Sequence, residues 1–156
     1  MHPQLESIFD EAENRYLHSE ELTILSQYVN SLPERLETYR KLRDNELDMM
    51  QKVADHLQAE MPHEEIAVLE LSIKNALLLL RHCSMGMLVN DAGFVQNRLL
   101  NWIGQTARVY NTQTIDARLY RLLNQQLTQV FTPKQLSLLQ PVLSTAQAAL
   151  LNHHSP

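Results

Sequence analysis

Apolar residues recur at helical spacing along most of the chain, and they are densest between residues 66 and 89. One stripe of this segment consists of Ile66, Leu69, Ile73, Ala76, Leu77, Leu80, Cys83 and Met87. Its other faces carry Val68, Leu71, Leu78, Leu79, Met85 and Leu88. A helix that is apolar on nearly all sides has to be buried on nearly all sides. We therefore expect a central core helix from Ile66 to Val89, with the rest of the chain packed around it.

The same segment is too polar to cross a membrane. Glu70, Lys74 and Arg81 interrupt it, and its longest unbroken apolar run extends only from Ala76 to Leu80. A membrane-spanning helix needs about 18 or more consecutive apolar residues. The sequence therefore predicts no transmembrane segment.

Amphipathic patterns before the central segment predict two short N-terminal helices, the second capped by Ser19, and a long third helix. The motif Ser-Leu-Pro-Glu, from Ser31 to Glu34, has the form of a new helix start, with a capping serine, an early proline and a capping-box glutamate. The third helix should run from there to Met61, with a bend or a break at the polar run 43–46.

The sequence after the central segment predicts three more helices with clear boundaries. Asn90 suits a left-handed helix end, and Asp91 suits the cap of the next helix. The run 132–135, Thr-Pro-Lys-Gln, has the form of a capping box for the last helix. Gly104 suggests a close helix crossing, and Pro141 should kink the last helix or break it at the preceding residue.

No run of alternating apolar and polar residues predicts a strand, so we expect an all-α protein of seven or eight helices. Uneven helix lengths around a buried central helix favour globin-like packing over a regular four-helix bundle. The 156 residues should form a single domain. It would comprise a helical dimerisation extension (1–30), a globin-like body (31–151) and a disordered tail (152–156).

Composition narrows the classes of partner and compartment. The net charge of −5 and the lack of a Lys/Arg block argue against nucleic acid or an anionic membrane as the main partner. Cys83 is the single cysteine, which fits a reducing cytosol. The first ten residues lack a basic region followed by an apolar run, so we expect no signal peptide.

Few residues form a pattern typical of catalysis or metal binding. His82 and Cys83 are adjacent, but neighbours on a helix point about 100° apart, and Cys83 continues the core stripe. The run 63–65, His-Glu-Glu, lacks the second histidine of a zinc-protease helix. A globin-type haem would need an axial histidine after the central helix, and 93–110 contains none. We therefore expect no enzyme, no metal site and no haem.

Several short motifs occur in the order found in one protein family. In chain order they are Ile24–Val29, Ala59–Pro62, Leu80–Arg81, Asp91–Ala92, Asn97–Asn101, Thr106 and Thr132–Pro133. From about Leu5 to Leu151 the chain resembles the phycobiliprotein subunits, the globin-like proteins of cyanobacterial light-harvesting antennae. The resemblance implies a globin-like phycobiliprotein fold with an N-terminal two-helix extension.

At the pigment position this chain departs from the family pattern. The resemblance places the bilin-binding cysteine at Ser72, and the arginine and aspartate that hold the bilin at Lys74 and Asn75. A hydroxyl cannot replace a thiolate in this chemistry, and Asn75 has no charge to pair with a protonated pyrrole. A second attachment point matches Leu136, and Cys83 lies about three turns from Ser72. The resemblance therefore implies a degenerate bilin site and no covalent bilin.

The resemblance also implies that this chain keeps one docking surface of the family. In the family, an acidic residue of the N-terminal helix pairs with an arginine on the central helix of the neighbouring subunit, and Glu13 and Arg81 fall at those positions. An exposed pair adds little affinity, so the apolar faces of the first two helices should supply most of it. Those faces carry Leu5, Ile8, Phe9, Leu22 and Leu25. We expect a homodimer, or a heterodimer with a phycobiliprotein subunit.

These features predict a non-chromophorylated phycobiliprotein-like binding protein of the cyanobacterial cytoplasm. It would serve the antenna as an assembly, turnover or attachment factor, peripheral to the thylakoid through the antenna. An alternative is a globin-like sensor or carrier that binds a tetrapyrrole or another small molecule non-covalently beside Ser72, Lys74 and Asn75. A colourless protein that co-purifies with antenna subunits favours the first, and absorbance above about 350 nm favours the second.

Overall fold

The computed structural model describes residues 3–152, except for the side chains of Asn97 and Arg98. In that part of the chain there are six α-helices, one π-helical segment and no strand, which confirms the predicted all-α class. The helices are α1 (Pro3–Ala12), α2 (Ser19–Glu60), α3 (Ile66–Leu88), α4 (Asn101–Tyr110), α5 (Gln113–Val130) and α6 (Pro133–Asn152). The π-helical segment, Gln96–Leu100, leads directly into α4.

The helix at the centre of the fold is α3, as its apolar pattern predicts. α2, α5 and α6 all pack against it. Leu79 and Cys83 of α3 are completely buried, together with Leu57 of α2, Leu123 of α5 and Leu139 of α6. Each leucine buried in this way stabilises the fold by roughly 1.5–3 kcal/mol. The core therefore consists of the stripe of α3 and the inward faces of three long helices.

The long helix α2 is uninterrupted over 42 residues, so the prediction that a new helix starts at Ser31 is wrong. Pro33 lies inside α2, which also continues without a break through 43–46. The Ser31 hydroxyl donates to the carbonyl of Tyr28 at 2.7 Å and accepts from Arg35 Nε at 2.8 Å, so it does not cap a helix. An interior proline costs about 3 kcal/mol, and contacts made by both halves of α2 offset this cost.

The two ends of α2 differ slightly from prediction. Ser19 is the first helical residue and not the cap, because the preceding residue, His18, takes the cap position. The backbone N–H of His18 donates to the Glu21 carboxylate at 2.7 Å. At the other end α2 stops at Glu60, one residue before the predicted Met61.

Most predicted boundaries after α3 are confirmed. Asn90 has φ 53°, the left-handed conformation that suits a helix end. The Asp91 carboxylate accepts a hydrogen bond from the Gly93 N–H at 2.9 Å and so closes the turn that follows. At the start of α6, Thr132 N–H donates to the Gln135 side chain at 3.1 Å and Gln135 N–H donates to the Thr132 hydroxyl at 3.2 Å. This reciprocal pair is the predicted capping box.

Two predictions about helix irregularity need correction. Pro141 lies inside α6, which continues past it, so of the two predicted outcomes, a kink or a break, the break does not occur. A Cβ atom added to Gly104 would meet nothing within 4 Å, so no close crossing requires a glycine there. The tight position is Gly86 on α3, where an added Cβ would lie 2.9 Å from the Asp91 carbonyl oxygen and 3.1 Å from Val142 Cγ1.

The continuity of α2 changes the predicted organisation. The boundary between the extension (1–30) and the body (31–151) falls inside a helix, which is why fewer helices form than the predicted seven or eight. α6 ends at Asn152, and the rest of the predicted tail lies outside the described residues. Along residues 3–152, no helix is long and apolar enough to cross a membrane.

Candidate functional site

The predicted pigment position on α3 is closed. Ser72 and Asn75 are only 1 % and 6 % exposed, whereas Lys74 faces solvent. The Ser72 hydroxyl oxygen is the one fully buried side-chain nitrogen or oxygen, among the described residues, without a hydrogen-bond partner. The fold therefore separates Lys74 from the two residues with which it was predicted to line a groove.

Arg81, about two and a half helical turns after Ser72 on α3, is accessible and already paired within the chain. Its Nε and Nη2 atoms donate to the two oxygens of the Glu46 carboxylate, at 2.6 and 3.2 Å. The Glu46 hydrogen bond raises the pKa of Arg81, which is already fully protonated at neutral pH. Because this pair joins α2 to α3, it fixes the guanidinium at the surface between the two helices.

A cleft of about 280 Å³ opens beside this ion pair. Its apolar lining consists of Tyr39, Leu42, Leu80, Met85 and Phe94. Arg43, Glu46 and Arg81 line it as well. Arg43 is paired with Asp44 at 2.8 Å, so each of the two arginines has a carboxylate partner from its own chain. The cleft therefore offers an apolar pocket between neutralised charges.

Glu13 lies in the exposed turn after α1, and the ion pairs of the described residues do not join it to Arg81. The turn is fastened instead by Arg15, which donates two hydrogen bonds to the Glu21 carboxylate at 2.9 and 2.7 Å. These bonds and the His18 N–H hold the pKa of Glu21 at about 2. The predicted pairing of Glu13 with Arg81 would therefore have to form between two molecules.

The predicted apolar docking residues fall into two groups. Leu5 and Ile8 are buried, contrary to the expectation that they face a partner. They are covered because α1 folds back on the first half of α2, where Leu5 shares a cleft with Ile24. Phe9 and Leu22 are exposed and Leu25 is half-buried. Of the five predicted residues, only Phe9, Leu22 and Leu25 remain accessible to a partner.

Two side chains that sequence reasoning missed connect α2 to the end of α3. The Tyr28 hydroxyl donates to the Leu88 carbonyl at 3.1 Å, and Arg35 Nη1 donates to the Met87 carbonyl at 2.5 Å. Carbonyls at a helix C-terminus carry partial negative charge and suit such donors. Burial lowers the pKa of Arg35, although the guanidinium stays charged. The available signal was a tyrosine and an arginine seven residues apart, which places them on the same face of α2.

No group of three or more histidine, cysteine, aspartate or glutamate side chains comes together as a metal site within the described part of the chain. The described residues form a closed core, an apolar cleft beside an ion pair, and two N-terminal helices that expose Phe9 and Leu22. Comparison with known proteins places this arrangement in a family. The family model described as Phycobilisome protein matches residues 9–150.

The chain therefore belongs to the phycobilisome protein family, a family of globin-like, all-α proteins of the light-harvesting antenna. A search of curated proteins found no match to the chain. The family assignment confirms the predicted fold, including its globin-like character.

Family membership implies a bilin, and the residues described here do not fit a covalently bound one. Thioether formation needs a thiolate. Cys83 is the one cysteine in the sequence, it is completely buried, and its burial raises the pKa of the thiol to about 12. The matching position, Ser72, has a hydroxyl and is itself buried.

Proposed function

We propose that this chain is a pigment-free, phycobiliprotein-like binding protein that serves the cyanobacterial light-harvesting antenna as an assembly, turnover or attachment factor. The observation that carries the proposal is the state of its one thiol. Cys83 lies in the core with a raised pKa, so it offers no thiolate to a bilin. A family member without pigment can still bind other subunits through the surfaces of its helices.

The docking surface supports binding to another phycobiliprotein-type subunit or to a second copy. Phe9 and Leu22 are exposed apolar residues, and the cleft beside Arg81 offers an apolar pocket for such side chains. Glu13 of one molecule and Arg81 of another would then add an ion pair at the rim, where a carboxylate from the partner competes with Glu46. The proposed location is the cytoplasm, peripheral to the thylakoid through the antenna.

The alternative role, non-covalent binding of a tetrapyrrole beside Ser72, has less support. Two of the three residues predicted to line that groove are buried, and Lys74 points away from them into solvent. A measurement of bound pigment therefore tests both roles.

To test for pigment, the protein is produced in cells that make bilins and bilin lyases, and its absorbance and intact mass are measured. We expect no absorbance above about 350 nm and the mass of the unmodified chain, 18.0 kDa. An added bilin mass would overturn the pigment-free proposal, and absorbance without added mass would favour the carrier role.

To test docking, the tagged protein is mixed with purified phycobiliprotein subunits and the bound subunits are identified by mass. Arg81→Glu should weaken binding several-fold, because it repels a partner acid and opens the Glu46 pair. Arg108→Glu, on the exposed side of α4, is the matched control and should bind like the wild type. Equal loss in both variants, or no binding by the wild type, would contradict the proposed interface.

A further inference from the structure

Arg35 on α2 is the one basic residue, among those the structure describes, that is buried. It is 9 % exposed, and the ion pairs of the described residues do not include it. The arginines that do pair with carboxylates there have side chains that are at least 33 % exposed. Buried charged side chains are nearly always paired. Arg35 therefore carries a charge that no described carboxylate neutralises.

The partners of Arg35 offset only part of this charge. Its Nε donates to the Ser31 hydroxyl at 2.8 Å and its Nη1 to the Met87 carbonyl at 2.5 Å, and no described residue accepts from Nη2. The Tyr28 ring lies over the guanidinium, with its centroid 5.8 Å from Cζ. The C-terminal end of a helix such as α3 carries only about half a negative charge. About half of the positive charge is thus left for another partner.

A cleft of about 320 Å³ reaches Arg35 between α1, α2 and the turn after α3. Arg35 is the one charged residue among the described residues that line it. Asn90 belongs to the lining, in the turn where its left-handed conformation ends α3. The other polar lining residues are Gln4, Gln27 and Ser31, and the apolar ones are Leu5, Ile24 and Tyr28. An apolar cleft with a few polar groups, of about 300 Å³ or more, is typical of a small-molecule site.

We propose that this cleft binds a small organic carboxylate. The carboxylate accepts hydrogen bonds from Arg35 Nη2 and the Asn90 amide, and the apolar part of the ligand contacts Leu5 and Ile24. The cleft shares no lining residue with the cleft beside Arg81 and does not include the predicted pigment position. The inference goes beyond the proposed function and does not depend on it.

The chemistry of the cleft favours a carboxylate over the other ligand classes. A guanidinium repels amines and metal cations, and its planar fork matches the two oxygens of a carboxylate. One partly offset guanidinium suits a single negative charge, whereas a phosphate group carries about 1.5 or more at pH 7. Inorganic phosphate also has no apolar part to cover Leu5 and Ile24. A carboxylate on an apolar body uses both sides of the cleft.

The first test compares two probes of the same shape, benzoate and its uncharged amide, benzamide. Binding to the full chain is measured by calorimetry. We expect a benzoate Kd on the order of 1 mM or lower, and a benzamide Kd at least about tenfold higher. Equal affinity for the two probes would overturn the proposal, and so would a benzoate Kd above about 20 mM. Inorganic phosphate that binds as tightly as benzoate would overturn the assignment to carboxylates.

The second test supplies the missing carboxylate from the chain itself. In Ser31→Asp, the new acid lies one helical turn before Arg35 and can pair with it, as acids and bases four residues apart do. The benzoate Kd should rise at least about tenfold, while the Tm of the free protein stays the same or rises. Arg35→Gln should also abolish binding, but it removes the contacts with α3. Ser31→Asp keeps Arg35 and therefore tests the charge in a folded protein.

Ser26→Asp is the matched control, because it adds the same charge at an exposed position of α2 outside the cleft. Its benzoate Kd should stay within about twofold of the wild type. Equal loss in the two aspartate variants would overturn the proposal, since the net charge of the protein would then explain it. Unchanged affinity in Ser31→Asp would overturn it as well, because benzoate would then bind away from Arg35.

Nuclear magnetic resonance locates the bound probe. The side-chain amide signals of Asn90 should shift on addition of benzoate, and a shift confined to residues outside the cleft would overturn the proposed site. This inference and the proposed function can fail separately. Ser31→Asp protein should capture phycobiliprotein subunits as the wild type does, so failure of either experiment leaves the result of the other unaffected.

Discussion

The predicted pigment position and a partly exposed apolar row on α2 reverse the usual distribution of polar and apolar residues in opposite directions. This row, the α2 seam, consists of Leu22, Leu25, Val29, Leu32, Leu36 and Tyr39. At Ser72 and Asn75, polar side chains are enclosed in the protein. Along the seam, Leu22, Val29 and Leu36 are apolar side chains exposed to solvent. Burying an unpaired polar group and exposing a row of apolar groups both reduce the stability of a lone protomer.

The difference between the two regions lies in what each can still do. A buried hydroxyl without a hydrogen-bond partner does not stabilise the fold. This is what we expect of a position that has lost its ligand. An exposed heptad row gains stability as soon as another helix covers it. The comparison supports the proposals that the position on α3 has lost its ligand and that α2 keeps a docking surface, and substitutions in each region can challenge them.

The largest effect is expected when the acid implied by the family is restored at the closed position. Asn75→Asp would place a carboxylate in a site that is 6 % exposed, and we expect the free energy of unfolding to fall by about 1–3 kcal/mol. Asn30→Asp makes the same chemical change at an exposed position of α2 and should shift it by less than about 0.5 kcal/mol.

Denaturant unfolding at one fixed protein concentration measures both variants, so that dimerisation affects them equally. Equal stability of Asn75→Asp and wild type would mean that water or a counter-charge reaches this position. The site would then be open, and the contrast with the seam would disappear.

A smaller effect should separate two buried serines on the same helix. The Ser72 hydroxyl has no partner, whereas the Ser84 hydroxyl donates to the Arg81 carbonyl at 2.6 Å. Alanine improves helix propensity by a similar amount at both positions. We therefore expect Ser72→Ala to be more stable than Ser84→Ala by about 1 kcal/mol, with Ser72→Ala at or above the wild type.

Because both variants gain a similar amount of helix propensity, the difference between their stabilities reports the hydrogen bond of the Ser84 hydroxyl. Thermal unfolding of the two variants at matched concentration is sufficient to measure it. A Ser72→Ala variant less stable than Ser84→Ala would show that the Ser72 hydroxyl has a partner in solution, such as an enclosed water.

The helices could be predicted from the sequence because apolar periodicity is a local property. The stripe of α3 identified the core helix, and it also identified Cys83 as a buried residue. Local signals misled at Ser31 and Pro33, which together have the form of a helix start. The hydrogen bonds that connect this part of α2 to α3 join Arg35 to a residue 52 positions later, so no window of sequence contains them.

The site could be predicted only in part, for the same reason. The family resemblance located Ser72, Asn75 and Arg81 on one helix, but it gave no information on burial. The Glu46–Arg81 pair spans 35 positions, and the burial of Leu5 depends on how α1 folds back on α2. The α2 seam was also hidden, because its pattern is continuous only when the helix is unbroken.

The smallest effect concerns the turn that holds α1 beside the seam. Hydrogen bonds from the Arg15 side chain and the His18 N–H hold the pKa of Glu21 at about 2, below its ordinary value of 4.5. Between these two values the unfolded chain binds more protons at this residue than the folded chain does. The stabilisation from Glu21 is therefore complete above pH 4.5 and is lost as the pH falls towards 2.

The Glu21→Gln variant tests this pH dependence. The difference in Tm between wild type and Glu21→Gln should be largest near neutral pH, shrink below about pH 4.5 and become smaller with added salt, since both charged side chains are partly exposed. Glu20→Gln removes an exposed neighbouring carboxylate and should give a difference that varies less with pH. A Glu21→Gln difference that stays constant from pH 6 to pH 3 (about the range in which the shift acts) would mean that Arg15 does not hold the turn. In that case α1 would be free to leave its face of α2.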